Sequence, residues 1–371
     1  MLKTKGRALV GAAIALTLSA CGSSSGGGGG GASEQLVIAT YGTGTPTYTD
    51  TAAVAEALTK NDGTRTRIIT SDTGIGRLTP LIRGTAQFTR AGGEYIDAFE
   101  GKSDFATKDW GPQPIRVAWA PTSSTSFVVP ADSDIVEPAD LAGKRVPTFP
   151  ANASVTSKTD GMLIGGGLTR ADVETVELDY SAQADALEAG RIDIMYISPG
   201  PGLSELEAKM DLRWLQLDPD DERLVAGLAE LAPDVWIDEF ISDTGETTGS
   251  DYGLTFAVPL VTTTETSDDT VRSLITGITE SYDDYKDTTA TTHTWGIEEV
   301  SVVPNLVPFH EELIAFLEEE DKWTEEAQAE QDRLLEREEQ LAEGWAEVSA
   351  EASDADLAAE WAAWKEANLG G

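Results

Sequence analysis

Four short stretches of this chain carry residue types suited to binding chemistry: residues 42–49 (Gly-Thr-Gly-Thr-Pro-Thr-Tyr-Thr), 71–73, 90–93 and 152–157. Each follows an apolar β-rich run and precedes a helical pattern. Each therefore sets unpaired backbone N–H groups and hydroxyls at a helix start, at the edge where open α/β sheets bind ligands. Neutral donors so placed hold a carboxylate without a full counter-charge. Helix capping alone accounts for any one of these turns; four, drawn from two parts of the chain, point to a shared site. Gly42, Thr43, Gly44, Thr45 and Tyr48 are its candidates in the first turn, and Thr73 in the second. Arg90 stands in the third as a cation for a carboxylate, with a structural ion pair as the equal alternative. Ser154 and Thr156 stand in the fourth, joined by Tyr196 at the end of a later β run.

The inventory for catalysis is thin. The histidines are His293 and His310, and Cys21 is the sole cysteine. No G-x-S-x-G, H-E-x-x-H, P-loop or paired-cysteine motif occurs. Gly42-Thr43-Gly44 begins a dinucleotide fingerprint but places Thr47 where the last glycine belongs. His310 precedes an acidic helical run and reads as a cap or a packing residue. The expectation is a binding protein, not an enzyme, with no cofactor and no metal.

The elements that must position these turns alternate. Strand patterns at 36–40, 67–70 and 87–91 are each followed by a helical one, at about 52–58, 75–82 and 94–99. This predicts a mostly parallel, doubly wound α/β sheet. Runs at 115–120 and 127–130 lead into a second lobe. There the spacing predicts a strand at 144–148, helices near 154–165 and 182–189, strands at 192–197 and 213–217, and a helix near 221–231. Residues 240–251 read as a loop, 252–261 as a β run returning to the first lobe, and 270–285 as an amphipathic helix. From Phe309 the chain is helical and acidic. Ala327, Leu334, Leu341 and Val348 lie seven apart, a narrow apolar stripe that suits a helical hairpin packed on the body or a partner-docking helix.

Length and charge set the frame. At 371 residues two lobes are expected. A formal net charge of −39 argues against nucleic acid or an anionic membrane surface as partner. Lys3, Lys5 and Arg7, then an apolar run over 8–20, form an export signal. Leu18-Ser19-Ala20-Cys21 resembles a bacterial lipoprotein cleavage box, with Cys21 lipidated, and the Gly/Ser run after it reads as a flexible tether. With Cys21 so used, no disulfide remains available to the body.

Several segments resemble TAXI-type solute receptors of tripartite ATP-independent periplasmic (TRAP) transporters. They are the opening I-A-T-Y-G-T-G-T-P-T-Y, D-L-A-G-K-R-V, A-D-A-L-E-A-G-R-I-D-I-M-Y-I-S-P-G-P, and V-P-F-H-E-E-L-I-A-F-L-E-E-E. The resemblance spans about residues 36–316. That family's P-G-S-G-T turn falls on Asn152-Ala153-Ser154-Val155-Thr156, where Ser154 and Thr156 match and both glycines are replaced. Its V-Q-S-D falls on Ala91-Gly92-Gly93-Glu94, without the glutamine. The resemblance implies a two-lobed type II periplasmic-binding-protein fold, here with a C-terminal helical extension. It implies capture of a small carboxylate-bearing solute, an organic acid or an amino acid such as glutamate, for delivery to a TRAP-type membrane permease. The expected divisions are a signal peptide at 1–20, lipidated Cys21 and tether at 21–33, the first lobe at 34–126 and 256–308, the second at 127–255, and the extension at 309–371. Hinges are expected near Ser126 and Phe256, and the location is the extracytoplasmic face of the cell membrane. The alternatives are an ABC-type importer receptor, a surface hydrolase and an adhesion protein using the acidic tail.

Overall fold

The computed structural model describes residues 35–239, 248 and 252–370. The expected signal peptide, Cys21 and tether lie outside the described residues, as does most of the loop expected at 240–251.

The chain builds β1 (Gln35–Thr40), α1 (Pro46–Asn61), β2 (Arg65–Thr70), α2 (Gly74–Ile82), β3 (Phe88–Arg90), α3 (Glu94–Glu100) and β4 (Ile115–Trp119). It then forms β5 (Thr122–Pro130), β6 (Arg145–Thr148), α4 (Ala153–Gly165), β7 (Glu174–Glu177), α5 (Gln183–Glu188), β8 (Met195–Ile197), α6 (Pro201–Glu207), β9 (Leu212–Trp214), α7 (Glu222–Leu231), β10 (Val235–Glu239) and β11 (Tyr252–Ala257). Last come β12 (Leu260–Thr263), α8 (Asp268–Glu280), α9 (Tyr282–Tyr285), α10 (Glu311–Glu319), α11 (Glu325–Glu351) and α12 (Leu357–Leu369).

The first sheet has the order β2-β1-β3-β12-β4, with β1 parallel to β2 and β3 and with β12 antiparallel to its neighbours. The second runs β10-β11-β5-β8, with β9 also on β5, all antiparallel; β6 and β7 form a separate parallel pair. Each sheet has its own apolar core. Leu36, Ile38, Phe88, Val117 and Leu260 belong to the first; Phe127, Val129, Ile194 and Leu254 belong to the second. This is the two-lobed α/β, type II periplasmic-binding arrangement expected from the sequence.

Several expectations need correcting. The β run at 252–261 is two strands, because Pro259 has no N–H to give a ladder and the chain changes sheets there. The crossovers are Ala120-Pro121 and Val258-Pro259, tied by the Val258 N–H to the Pro121 carbonyl at 2.9 Å. Ser126 and Phe256, the positions expected near the crossovers, sit inside β5 and β11, paired with Ile197 and Ser123. The helix at 270–285 is interrupted at Ser281, and only Met195–Ile197 of the 192–197 run joins a ladder. Polar β7 and the short α6 carry too few apolar positions to stand out in the sequence, and β10 offers only the three-residue apolar run Val235–Ile237.

Packing within the second lobe depends on glycine. α4 crosses α7 so closely that a Cβ on Gly227 would lie 2.7 Å from the Gly161 carbonyl oxygen. The C-terminal hairpin packs on the first lobe. Ala327, Leu334, Leu341 and Val348 are all buried, and Leu341, Val348, Leu357 and Trp361 belong to the first lobe's own core.

Candidate functional site

Three of the four turns meet between the lobes. The first leaves β1 at Tyr41 and enters α1 through Thr45, whose Oγ1 accepts from the Tyr48 N–H at 3.2 Å and donates to the Gly42 carbonyl at 2.9 Å. Gly44 has φ +96°, a conformation that favours glycine, and a Cβ on Gly42 would strike Asp72 Oδ1 at 2.4 Å. The third turn, Gly92-Gly93, opens α3. The fourth enters α4 through Asn152, whose Oδ1 accepts from the Val155 N–H at 3.3 Å. The two lobes touch here, where the Gly93 N–H donates to Ser154 Oγ at 3.1 Å.

Beside this contact is a cavity of about 60 Å³. Tyr41, Thr45 and Gly92 face it from the first lobe; Asn152, Ser154, Tyr180 and Tyr196 face it from the second; Ser123, Thr125, Phe256 and Val258 close it at the crossovers. It continues past Thr45 and Tyr180 into an outer groove of about 510 Å³, lined by Thr43, Gly44, Met195 and Ile197 among others. A comparable groove of about 490 Å³, near Pro138 and Asp221, gathers none of the four turns.

Of the residues expected from the sequence, Thr45, Ser154 and Tyr196 line the inner cavity, and Thr43 and Gly44 line the outer groove. Gly42 shapes the loop from behind, and Tyr48 lines neither space. Thr73 caps α2, its Oγ1 accepting from the Gly76 N–H at 3.1 Å. Thr156 is spent on its own turn, donating to the Phe149 carbonyl at 3.1 Å and accepting from the Phe149 N–H at 3.0 Å. Its match to a family motif thus reflects turn closure. Arg90 is 1% exposed and makes no ion pair among the described residues; its guanidinium stacks over Trp295 at 4.2 Å. Burial pulls it down to about 10 against the pull of Asp50, and Nε and Nη1 have no hydrogen-bond partner. His310 caps α10 through Nδ1, as expected.

Sequence reasoning missed the charged groups behind the cavity. Arg77 donates through Nε to Glu94 Oε1 at 2.9 Å and through Nη1 to the Ser71 carbonyl at 3.0 Å, and it stacks over the Tyr41 ring at 3.6 Å. Tyr41 donates to the same Glu94 oxygen at 3.0 Å and accepts from the Gly92 N–H at 2.9 Å. Burial and the Glu94 charge push the Tyr41 phenol well up. Burial alone raises Glu94, but the Arg77 charge and hydrogen bonds outweigh it and hold the carboxyl below its ordinary value. In the second lobe Lys158 donates to Ser154 Oγ at 2.8 Å, pairs with Asp234 at 3.6 Å and lies over the Phe256 ring at 4.2 Å. Tyr196 packs edge-on to both Phe127 and Tyr180, and burial pushes its phenol well up. Tyr41 adjoins the Gly/Thr turn and was within reach of the sequence pattern. Glu94 lies on α3, Lys158 on α4 and Asp234 in the turn before β10, and only folding brings them together.

The cavity wall carries hydroxyls, an amide and aromatic rings, with the cations held behind it in pairs. Such a wall suits hydrogen bonding to a polar solute. Among the described residues there is no metal-ligand cluster, and no helix is long and apolar enough to cross a membrane.

No curated protein matches the chain. Solved structures with a partial likeness include the periplasmic aliphatic sulphonate binding protein SsuA from Escherichia coli, at 14% identity and TM-score 0.44, covering 87% of this chain and 90% of that one. Another is the zinc-bound ligand-binding component of an ABC-type import system from Staphylococcus aureus, at 10% identity and TM-score 0.46, covering 79% and 96%. A third comes from a study of glutathione import via GshT and the cystine ABC importer of Streptococcus mutans, at 14% identity and TM-score 0.41, covering 68% and 90%. At family level the match is direct: residues 38–320 fit the model of the NMT1-like family, and the chain belongs to that family.

Proposed function

We propose that this protein is an extracytoplasmic solute-binding receptor that closes its two lobes over a small carboxylate-bearing solute and presents it to a membrane transporter. The observation that carries the reading is a cavity walled by both lobes where three of the four turns meet, bordered at one edge by the hydrogen bond from the Gly93 N–H to Ser154 Oγ. Thr45, Ser154 and Tyr196 contact the solute, Thr43 and Gly44 border its approach, and the hydroxyls and the Asn152 amide of the wall hydrogen-bond its polar groups. Several charge-assisted hydrogen bonds, each contributing about 1.5–3 kcal/mol, suffice for roughly micromolar binding after association costs. The lobes move about Ala120-Pro121 and Val258-Pro259. Lipidation at Cys21 would hold the body at the membrane face.

Two transporters suit such a receptor. An ABC-type importer has the descriptions of the similar structures on its side. A TRAP-type permease, with this chain as its TAXI receptor, has the sequence segments quoted above. Uptake that follows ATP hydrolysis supports the first, and uptake that follows an ion gradient supports the second. Native mass spectrometry of freshly purified protein tests the receptor reading itself. A co-purifying small carboxylic acid supports it; no bound or added carboxylate shifting the mass or the melting temperature overturns it.

A further inference from the structure

Two carboxylate oxygens with no hydrogen-bond partner among the described residues converge on the Gly92-Gly93 turn from opposite lobes. Glu94, 5% exposed, uses Oε1 for Arg77 and Tyr41 and leaves Oε2 without a partner. Asp234, 4% exposed, has no hydrogen-bond partner at Oδ2, and its ion-pair contact with Lys158 is 3.6 Å long. A Cβ placed on Gly92 would lie 2.7 Å from the Tyr41 hydroxyl, 3.1 Å from Glu94 Oε2 and 3.4 Å from Ser154 Oγ. One placed on Gly93 would lie 3.1 Å from Ser154 Oγ and 3.6 Å from Asp234 Oδ2. Tyr41, Gly92 and Ser154 all line the inner cavity, and Glu94 lines a neighbouring interlobe space of about 190 Å³ that shares Asn152 with it.

We infer that this corner reads a primary ammonium group, so that the solute is an α-amino acid and not a plain organic acid. The inference rests on the receptor reading above. A buried carboxylate oxygen needs a donor, and two of them flanking a hydroxyl need several donors from one small group. An ammonium supplies three N–H donors and the matching charge; a hydroxyl or keto group at the same carbon supplies at most one. Arg77 and Lys158 already offset one negative charge each, so a solute with zero net charge at its α-carbon leaves the corner balanced. Asp97, near both Glu94 and Asp234, adds to the preference for a cation. The lobes contribute one acceptor each, which couples recognition of the amine to closure.

The test is calorimetric titration of the full chain with acids matched except at the amino group: L-glutamate against 2-oxoglutarate and glutarate, and L-leucine against 4-methylpentanoate. In at least one set the amino acid should bind tenfold or more tightly. Asp234→Asn should erase that advantage, weakening the amino acid at least tenfold while changing its partner less than twofold. Glu94→Gln should act in the same direction, and Asp234→Asn remains decisive if loss of the Arg77 pair unfolds Glu94→Gln. Equal affinities within every set, or equal weakening of both members by Asp234→Asn, overturn the ammonium reading alone. A panel in which no carboxylate binds overturns the receptor reading with it.

Discussion

Gly92 shows how much of the site depends on a side chain that is not there. Its φ is not in the left-handed region, so alanine there adds volume without backbone strain. The added methyl meets the Tyr41 hydroxyl at 2.7 Å, closer than such contacts allow, and something must shift. Gly92→Ala should therefore lower solute affinity tenfold or more, with the melting temperature changed by a few degrees at most; unchanged affinity in a titration would remove the cavity's inner corner from the site. Thr45 and Thr156 make a second comparison. Both cap or close a turn, and each hydroxyl lost costs about 1 kcal/mol of stability. Only Thr45 lines the cavity. Alanine variants should thus match in thermal stability and differ in affinity, weakened for Thr45→Ala and unchanged for Thr156→Ala. The contrast also marks what the sequence could reveal. Hydroxyl-rich turns after strands were legible, because turn chemistry is local. Which hydroxyls face the cavity was not, since Thr45, Thr73 and Thr156 all bond backbone groups within their own turns and only the tertiary fold sets Thr45 on the cavity wall.

Among the elements, α3 is tied at both ends. Its first turn carries the Gly93 contact to Ser154. Its last residue, Glu100, is gripped by the C-terminal hairpin: Arg337 donates through Nε and Nη2 to the two carboxylate oxygens at 2.5 and 3.0 Å. The Glu100 carbonyl accepts from Trp361 Nε1 at 3.0 Å and Lys365 Nζ at 3.1 Å. Burial alone would raise the Glu100 carboxyl, but Arg337 and Lys365 outweigh it and bring it below its ordinary 4.5. A carboxyl depressed on folding adds stability above its unfolded value, and that contribution is lost as pH falls through the folded one. Melting curves should accordingly show a loss of stability below about pH 4.5 that Glu100→Gln does not share. Arg337→Met leaves a buried carboxylate with less compensation and should destabilise the protein by about 3–5 kcal/mol at neutral pH. A change under about 1 kcal/mol would mean the pair is solvated in solution. The seven-residue stripe of α11 could be read in advance, since helical periodicity is a one-dimensional property. Its docking on α3 depends on Glu100, Arg337 and Lys365, which are far apart in the chain and unremarkable in so acidic a sequence.

At the scale of the molecule, the two crossovers and the interlobe hydrogen bond define a closure that can be measured. Ala120-Pro121 and Val258-Pro259 are the strand-to-strand links between the sheets, and proline in each limits the backbone to few conformations. Motion there should be a rotation of two intact cores, because each sheet keeps its own buried cluster. The C-terminal hairpin moves with the first lobe, to whose core Leu341, Val348 and Trp361 belong. Closure buries the cavity only if the lobes meet near Gly93 and Ser154, so a solute that bridges Thr45 and Tyr196 must raise the closed population. Cys21 is the sole cysteine, which makes site-specific labelling direct. With Cys21→Ser in place, Lys60→Cys on α1 and Arg191→Cys in the second lobe put one dye on each, at exposed positions. Adding the solute identified by mass spectrometry should shift transfer efficiency along the binding isotherm in the wild-type cavity, and not when Thr45→Ala and Tyr196→Phe are combined. Between Lys60→Cys and Lys322→Cys, both outside the second lobe, the efficiency should stay constant. A solute-dependent shift in that second pair would show that the first lobe and its extension deform, and that rigid rotation about the two proline links is the wrong description of capture.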